Sequence, residues 1–108
     1  MEIAYETKEI RDLFQFPARA LAQYGPRVAR MLAVRFADLR ALPNAAELLA
    51  FHPQETLAEG VPALELGLAE DYKMILVPNH PKRPEGPIKW AAIRRLKVLE
   101  IRGGHVQT

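Results

Sequence analysis

The chain has no cysteine and no serine among its 108 residues. Without cysteine there is no disulfide framework and no thiol chemistry. Without either residue, the familiar acyl-transfer sites built on Ser or Cys nucleophiles are excluded. Glycine is scarce, and Gly103-Gly104 is too little for a nucleotide-binding fingerprint. No apolar run reaches the roughly 18 residues needed to span a membrane. Glu2, Glu6 and Glu9 stand where a signal peptide would be basic and then apolar, so a cytoplasmic protein is expected. The three histidines, His52, His80 and His105, show no metal-ligand spacing, so neither a metal nor a cofactor is expected.

What is present suits one domain, residues 1–108, with no internal repeat. The composition is 49% hydrophobic, which argues against disorder. The net charge of +2 is small, but its distribution is uneven. Residues 51–72 carry Glu55, Glu59, Glu65, Glu70 and Asp71 and no lysine or arginine. Residues 73–108 carry Lys73, Lys82, Arg83, Lys89, Arg94, Arg95, Lys97 and Arg102 against Glu85 and Glu100. A basic C-terminal third suits either a phosphate backbone or an acidic protein partner.

The pattern of apolar residues predicts the elements. Met1 to Tyr5 reads as a first strand with Ile3 and Tyr5 on one face. Thr7 is a candidate N-cap for a helix with the stripe Ile10, Leu13, Phe14. Pro17 interrupts or kinks that helix, and Ala18 to Tyr24 resumes it. Gly25 suits a C-cap and Pro26 the first turn of the next helix. Arg27 to Leu42 carries the stripe Val28, Leu32, Phe36, Leu39, which predicts that Phe36 is buried against the sheet. Arg35 falls inside this stripe, so its charge must snorkel to the surface edge or pair with an acid, expected from the first helix.

Pro43 and Asn44 mark a turn, and Ala45 to Ala50 suits a short helix. Phe51 to Gly60 is ambiguous, because Pro53 argues against a long regular element. Ala63 to Leu68 reads as a strand with Leu64, Leu66 and Leu68 on one face. Glu70 and Asp71 suit a turn, and Tyr72 to Val77 an inner strand. Pro78 to Pro87, with four prolines, reads as a long loop. The last strand runs from Leu96 to Ile101. Leu96 and Val98 are expected on one face and Leu99 and Ile101 on the other, as in an interior strand. Trp90, just before it, suits a packing anchor. The order predicts a small α+β domain, with an N-terminal strand and a helical hairpin packed on one face of a mainly antiparallel sheet.

Four segments carry a family resemblance: IAYETKEI, AQYGPRVARMLAVRFADLRAL, DYKMILVP and IKWAAIRRLKVLEIRGGH. Their order and spacing resemble the HigB-like (proteic killer suppression) toxins of the RelE/ParE superfamily over nearly the whole chain. The resemblance implies a RelE-like fold and a toxin of a type II toxin–antitoxin system. The activity implied is a ribosome-dependent endoribonuclease that cuts mRNA without a metal, by attack of the 2′-hydroxyl on the adjacent phosphate. Such chemistry needs a group to take the 2′ proton, cations to steady the phosphoryl oxygens, and a group to protonate the 5′ oxygen.

By resemblance, His105 matches the terminal histidine, a general acid or base. Lys73 stands where the family has a phosphate-clamping arginine, and His52 matches a histidine opening the second strand. Gly103 and Gly104 replace an Asp-Tyr pair. Lys82, Arg83, Arg94, Arg95, Lys97 and Arg102 are the candidate RNA contacts. The implied partners are a HigA-like helix-turn-helix antitoxin and mRNA on the ribosome, with no membrane. Two alternatives stay open. One is a catalytically weak RelE-fold protein that pairs with an antitoxin and acts through operon regulation. The other is a gyrase-poisoning toxin of the same superfamily, less in keeping with the Trp and terminal His pattern.

Overall fold

A computed structural model describes residues 1–80 and 88–103. Five strands form one sheet in the order β1-β5-β4-β3-β2. They are β1 (Glu2–Tyr5), β2 (Gln54–Ala58), β3 (Val61–Gly67), β4 (Lys73–Pro78) and β5 (Arg95–Arg102). β1 pairs with β5 in parallel, and the other three pairings are antiparallel. Between β1 and β2 come α1 (Lys8–Gln15), α2 (Pro17–Tyr24), α3 (Pro26–Ala41) and a 3-10 helix, Ala45–Phe51. No helix among the described residues is long and apolar enough to cross a membrane.

The helix boundaries follow from local chemistry. Thr7 caps α1, its hydroxyl accepting from the Ile10 amide at 3.1 Å. Phe16 is extended and Pro17 opens α2, where a missing N–H costs nothing, so the proline separates two helices rather than kinking one. Gly25, at φ 84°, ends α2 and leads directly into Pro26 of α3. At the far end of α3 the Met1 ammonium donates to the Leu39, Arg40 and Leu42 carbonyls at 3.2, 3.0 and 2.6 Å. A cation there complements the helix dipole.

The main core lies between the helices and one face of the sheet. Val28, Leu32 and Leu39 of α3 meet Leu64, Leu66, Met74, Leu76, Leu96 and Val98. Trp90 is buried in the same core and donates its Nε1–H to Glu55 Oε1 at 2.6 Å, tying the segment before β5 to β2. A smaller cluster of Ala58, Ala63, Ile75 and Val77, with Leu99 against it, occupies the opposite, back face.

Several expectations need correction. The ambiguous stretch 51–60 contains a full strand, β2, because Pro53 lies just before it rather than inside it. Its hairpin to β3 turns through Glu59 and Gly60, both at positive φ, as a two-residue hairpin requires. Ile101 joins Leu96 and Val98 on the helix side instead of following Leu99. The register of β4 and β5 slips there: Ile75 pairs with Glu100, but Leu76 pairs with Val98, skipping Leu99. One extra residue in β5 shifts the alternation by one.

Phe36 is only partly buried. It stacks with Tyr5 and Phe14 in a trio, with ring centroids 5.2–6.5 Å apart, beside the β1 edge. Arg35 takes its acid from its own helix, Asp38 at 3.5 Å, rather than from α1. It also donates to the Gly67 carbonyl at 3.3 Å and covers the Phe51 ring.

These burials set the expected costs. Leu76→Ala, at a fully buried site on the helix-facing side of β4, should lose about 2–5 kcal/mol in urea unfolding. Phe36→Ala should lose about 1–3 kcal/mol, since its ring already meets water. A larger loss at Phe36 than at Leu76 would contradict the packing described.

Candidate functional site

The sequence candidates are best placed by following β5. Its register sets Arg102 opposite Lys73, at the first residue of β4. Strands β4 and β5 are neighbours, paired antiparallel. His105, Lys82 and Arg83 lie outside the described residues.

Lys73 and Arg102 share a carboxylate that the sequence reading did not single out. Glu65, one strand further on, stands 3.8 Å from Lys73 Nζ and 3.2 Å from Arg102 Nη1. Arg102 Nε also donates to Glu100 Oε1 at 2.6 Å. The four charges lie on the back face of the sheet and sum to zero. Their exposure differs: the Lys73 and Arg102 side chains are 47% and 53% exposed, while that of Glu65 is 12% exposed. The carboxylate thus lies beneath two cations whose outer faces meet solvent. A signal for Glu65 was available. Leu64, Leu66 and Leu68 alternate onto the helix side, so Glu65 must face the other side of an interior strand, where a carboxylate needs partners.

The bulge at Leu99 creates this grouping. Without it, strict alternation would place Arg102 on the helix side, in line with Leu96 and Val98. With it, Glu100 and Arg102 both reach the back face and Ile101 fills the core.

The surrounding backbone is unusual. Of the four non-glycine residues at positive φ among the described residues, His52, Glu70 and Asp71 lie at this end of the sheet. Glu70 and Asp71 form the β3–β4 turn, closed by Tyr72 N–H donating to Ala69 C=O at 3.0 Å. Gly103, at φ 130°, passes against that turn. A Cβ there would collide with the Asp71 carbonyl oxygen and lie 2.8 Å from Tyr72 Cα. Only glycine fits there without a shift of the turn. On the helix side of the same end, Tyr24 and Tyr72 meet edge to face at 5.1 Å. Burial, with Tyr72 next to it, raises the Tyr24 phenol above its ordinary pKa of 10.0.

The other candidates do not gather here. His52 ends the 3-10 helix in a left-handed conformation and is exposed. It precedes β2, two strands from β4, so roughly 10 Å separates it from Lys73. His80 follows the opposite end of β4 and is exposed. Arg94 and Arg95 lie at the start of β5, about 20 Å along the strand from Arg102. Arg95 pairs with Glu2 at 2.9 Å and Lys97 with Glu6 at 2.7 Å. Among the described residues there is no group of three or more His, Asp or Glu side chains able to hold a metal ion. No family model, curated protein or solved structure matches the chain.

Two measurements check this geometry. Gly103→Ala should cost about 1–3 kcal/mol and shift the amides of Asp71, Tyr72 and Lys73 in NMR spectra. Wild-type shifts there would mean that Gly103 does not touch the turn. The raised Tyr24 pKa predicts alkaline destabilisation. The folded chain holds the phenol proton above pH 10, where the unfolded chain releases it. Stability from this group is therefore full below pH 10 and falls as pH rises through the folded pKa. Urea midpoints on either side of pH 10 should show the fall, and Tyr24→Phe should lessen it.

Proposed function

We propose that this chain is a ribosome-dependent mRNA endoribonuclease, the toxin of a type II toxin–antitoxin pair, with its site on the back face of the sheet at Lys73 and Arg102. The supporting observation is that these two cations sit side by side, held from below by Glu65 and open to solvent above. A phosphodiester lying across them would place its non-bridging oxygens against an ammonium and a guanidinium, the charges that a pentavalent phosphoryl centre needs. Attack of the 2′-oxygen on phosphorus forms a cyclic phosphate and expels the 5′-oxygen. The proton leaves the 2′-hydroxyl and another is delivered to the 5′-oxygen. The resemblance assigns one of these transfers to His105, whose imidazole has a reference pKa near 6.5. His52, two strands away, is the candidate for the other only where the bound message spans β3.

Because the four charges cancel, the site offers little net attraction for free RNA. The ribosome would supply the positioning. The partner that blocks the toxin would be a small HigA-like helix-turn-helix antitoxin.

A second reading is a RelE-fold protein that binds an antitoxin and cuts nothing. The observation favouring it is the pairing of Lys73, Arg95, Lys97 and Arg102 with carboxylates, which leaves the basic stripe largely neutralised.

Cleavage of ribosome-bound messages by the wild type, Lys73→Ala, Arg102→Ala and His105→Ala decides between them. Lys73→Ala and Arg102→Ala should each lower cleavage by about 100-fold or more. Both should stay folded, because each leaves Glu65 its other cation and the side chain removed is about half exposed. Unchanged cleavage in all three variants would put the site elsewhere. No cleavage by wild type freed of antitoxin, across varied messages, would favour the non-cutting protein.

A further inference from the structure

The β1 edge of the sheet, opposite in order to β2, carries a groove of about 660 Å³ that none of the chemistry above uses. We propose that this groove receives an extended acidic and apolar peptide segment of a partner protein, which adds a sixth strand beside β1 and places a carboxylate on Arg40.

Three observations define the occupant. The first is the backbone. Glu2 and Glu6 donate their amides to β5, at Arg94 and Val98. The alternation of a strand then turns the N–H and C=O groups of Ile3 and Tyr5 outward, away from β5. An edge of this kind is matched by another extended backbone, not by a helix. The second is the apolar lining. The trio of Tyr5, Phe14 and Phe36 faces the groove and stays partly exposed, although Phe36 continues the buried stripe of α3. A strand laid along β1 would direct alternate side chains onto these rings. The third is charge. Arg40 is exposed in the same groove, with its guanidinium 5.5 Å from the Phe36 ring centroid. No carboxylate among the described residues forms an ion pair with it, whereas Glu2, also lining the groove, is paired with Arg95 at 2.9 Å. The Met1 ammonium in the same groove is already bonded to three carbonyls, so the Arg40 guanidinium is the cation left to meet a ligand beside the apolar floor, which fits a segment with an acidic residue among apolar ones.

This inference does not rest on the ribonuclease reading. A chain that cuts no RNA would present the same edge.

The probe is a capped synthetic peptide of about eight residues in which threonine alternates with valine, phenylalanine and glutamate. Titrated into the full chain, it should shift the Ile3 and Tyr5 amides in NMR spectra and protect them from hydrogen exchange. Arg40→Glu should weaken binding at least about tenfold, and so should replacing the peptide's glutamate with lysine. Ile3→Pro removes an outward N–H without touching a β5 bond and should abolish docking. If that variant unfolds, Arg40→Glu, at an exposed position, still decides. Failure of the peptide to bind wild type at millimolar concentration would overturn the proposal. So would binding unaffected by Arg40→Glu, or a concentration-dependent dimer of the free chain that already protects the same amides, since a second copy would then be the occupant.

Discussion

The sheet depends on β5 occupying its middle. Among the described residues β1 pairs with no other strand, and the β2-β3-β4 meander reaches it only through β5. The parallel pairing joins residues about ninety positions apart, with all the helices and the meander between them. Leu96 and Val98 therefore complete two things at once. They supply the middle of the core and they bond the two halves of the sheet. The extra residue at Leu99 belongs to the same constraint. It turns a strand that begins by filling the core into one that ends by carrying charge, with only Ile101 returning to the helix side.

Electrostatics follow from this arrangement. In sequence, the acidic stretch 51–72 and the basic third after it look like separate surfaces. In the fold, one is laid on the other. Glu65 from the acidic stretch lies beneath Lys73 and Arg102, and Glu55 accepts from Trp90. The first strand region contributes Glu2 and Glu6 to Arg95 and Lys97. The Glu2–Arg95 and Glu6–Lys97 pairs are exposed or partly so and add little stability. Their effect is to convert a basic stripe into a mixed-charge one, whose attraction for polyanions is short-ranged and geometrical rather than a broad field.

The parts of the fold legible in the sequence are those governed by local chemistry. Thr7, Gly25 and Pro26 mark helix ends for reasons confined to a few residues. The stripe Val28, Leu32, Leu39 and the alternation of Leu64 and Leu66 report burial directly. The small α+β architecture with helices on one face follows from them. What was not legible depends on distant partners. β2, with Gln54, Glu55 and Thr56, has no apolar alternation because it is an edge strand with little to bury. The slip at Leu99 is defined by which residue of β4 lies opposite, and no pattern within Leu96 to Ile101 contains that. Arg35 was expected to need an acid, and it has one, but the choice of Asp38 and of the Gly67 carbonyl is settled by the tertiary arrangement. In the candidate site, Lys73 was singled out by resemblance, whereas Glu65 became its identified partner only when β3 was set beside β4.

Synthesis runs from β1 toward β5, so order of manufacture and order in the sheet disagree. While the chain is being made, β1, the three helices and the meander exist before the strand that joins them. Until residues 95–102 emerge, β1 and β4 each present an open edge to the same empty slot, and the apolar faces of the helices have half a floor to rest on. Long-range pairings of this kind form slowly, because the chain between them must be ordered first. Arrival of β5 thus closes both facing edges and sets Arg102 beside Lys73 in a single step, whereas a chain interrupted before residue 95 keeps two open edges, the kind of surface on which incomplete chains aggregate.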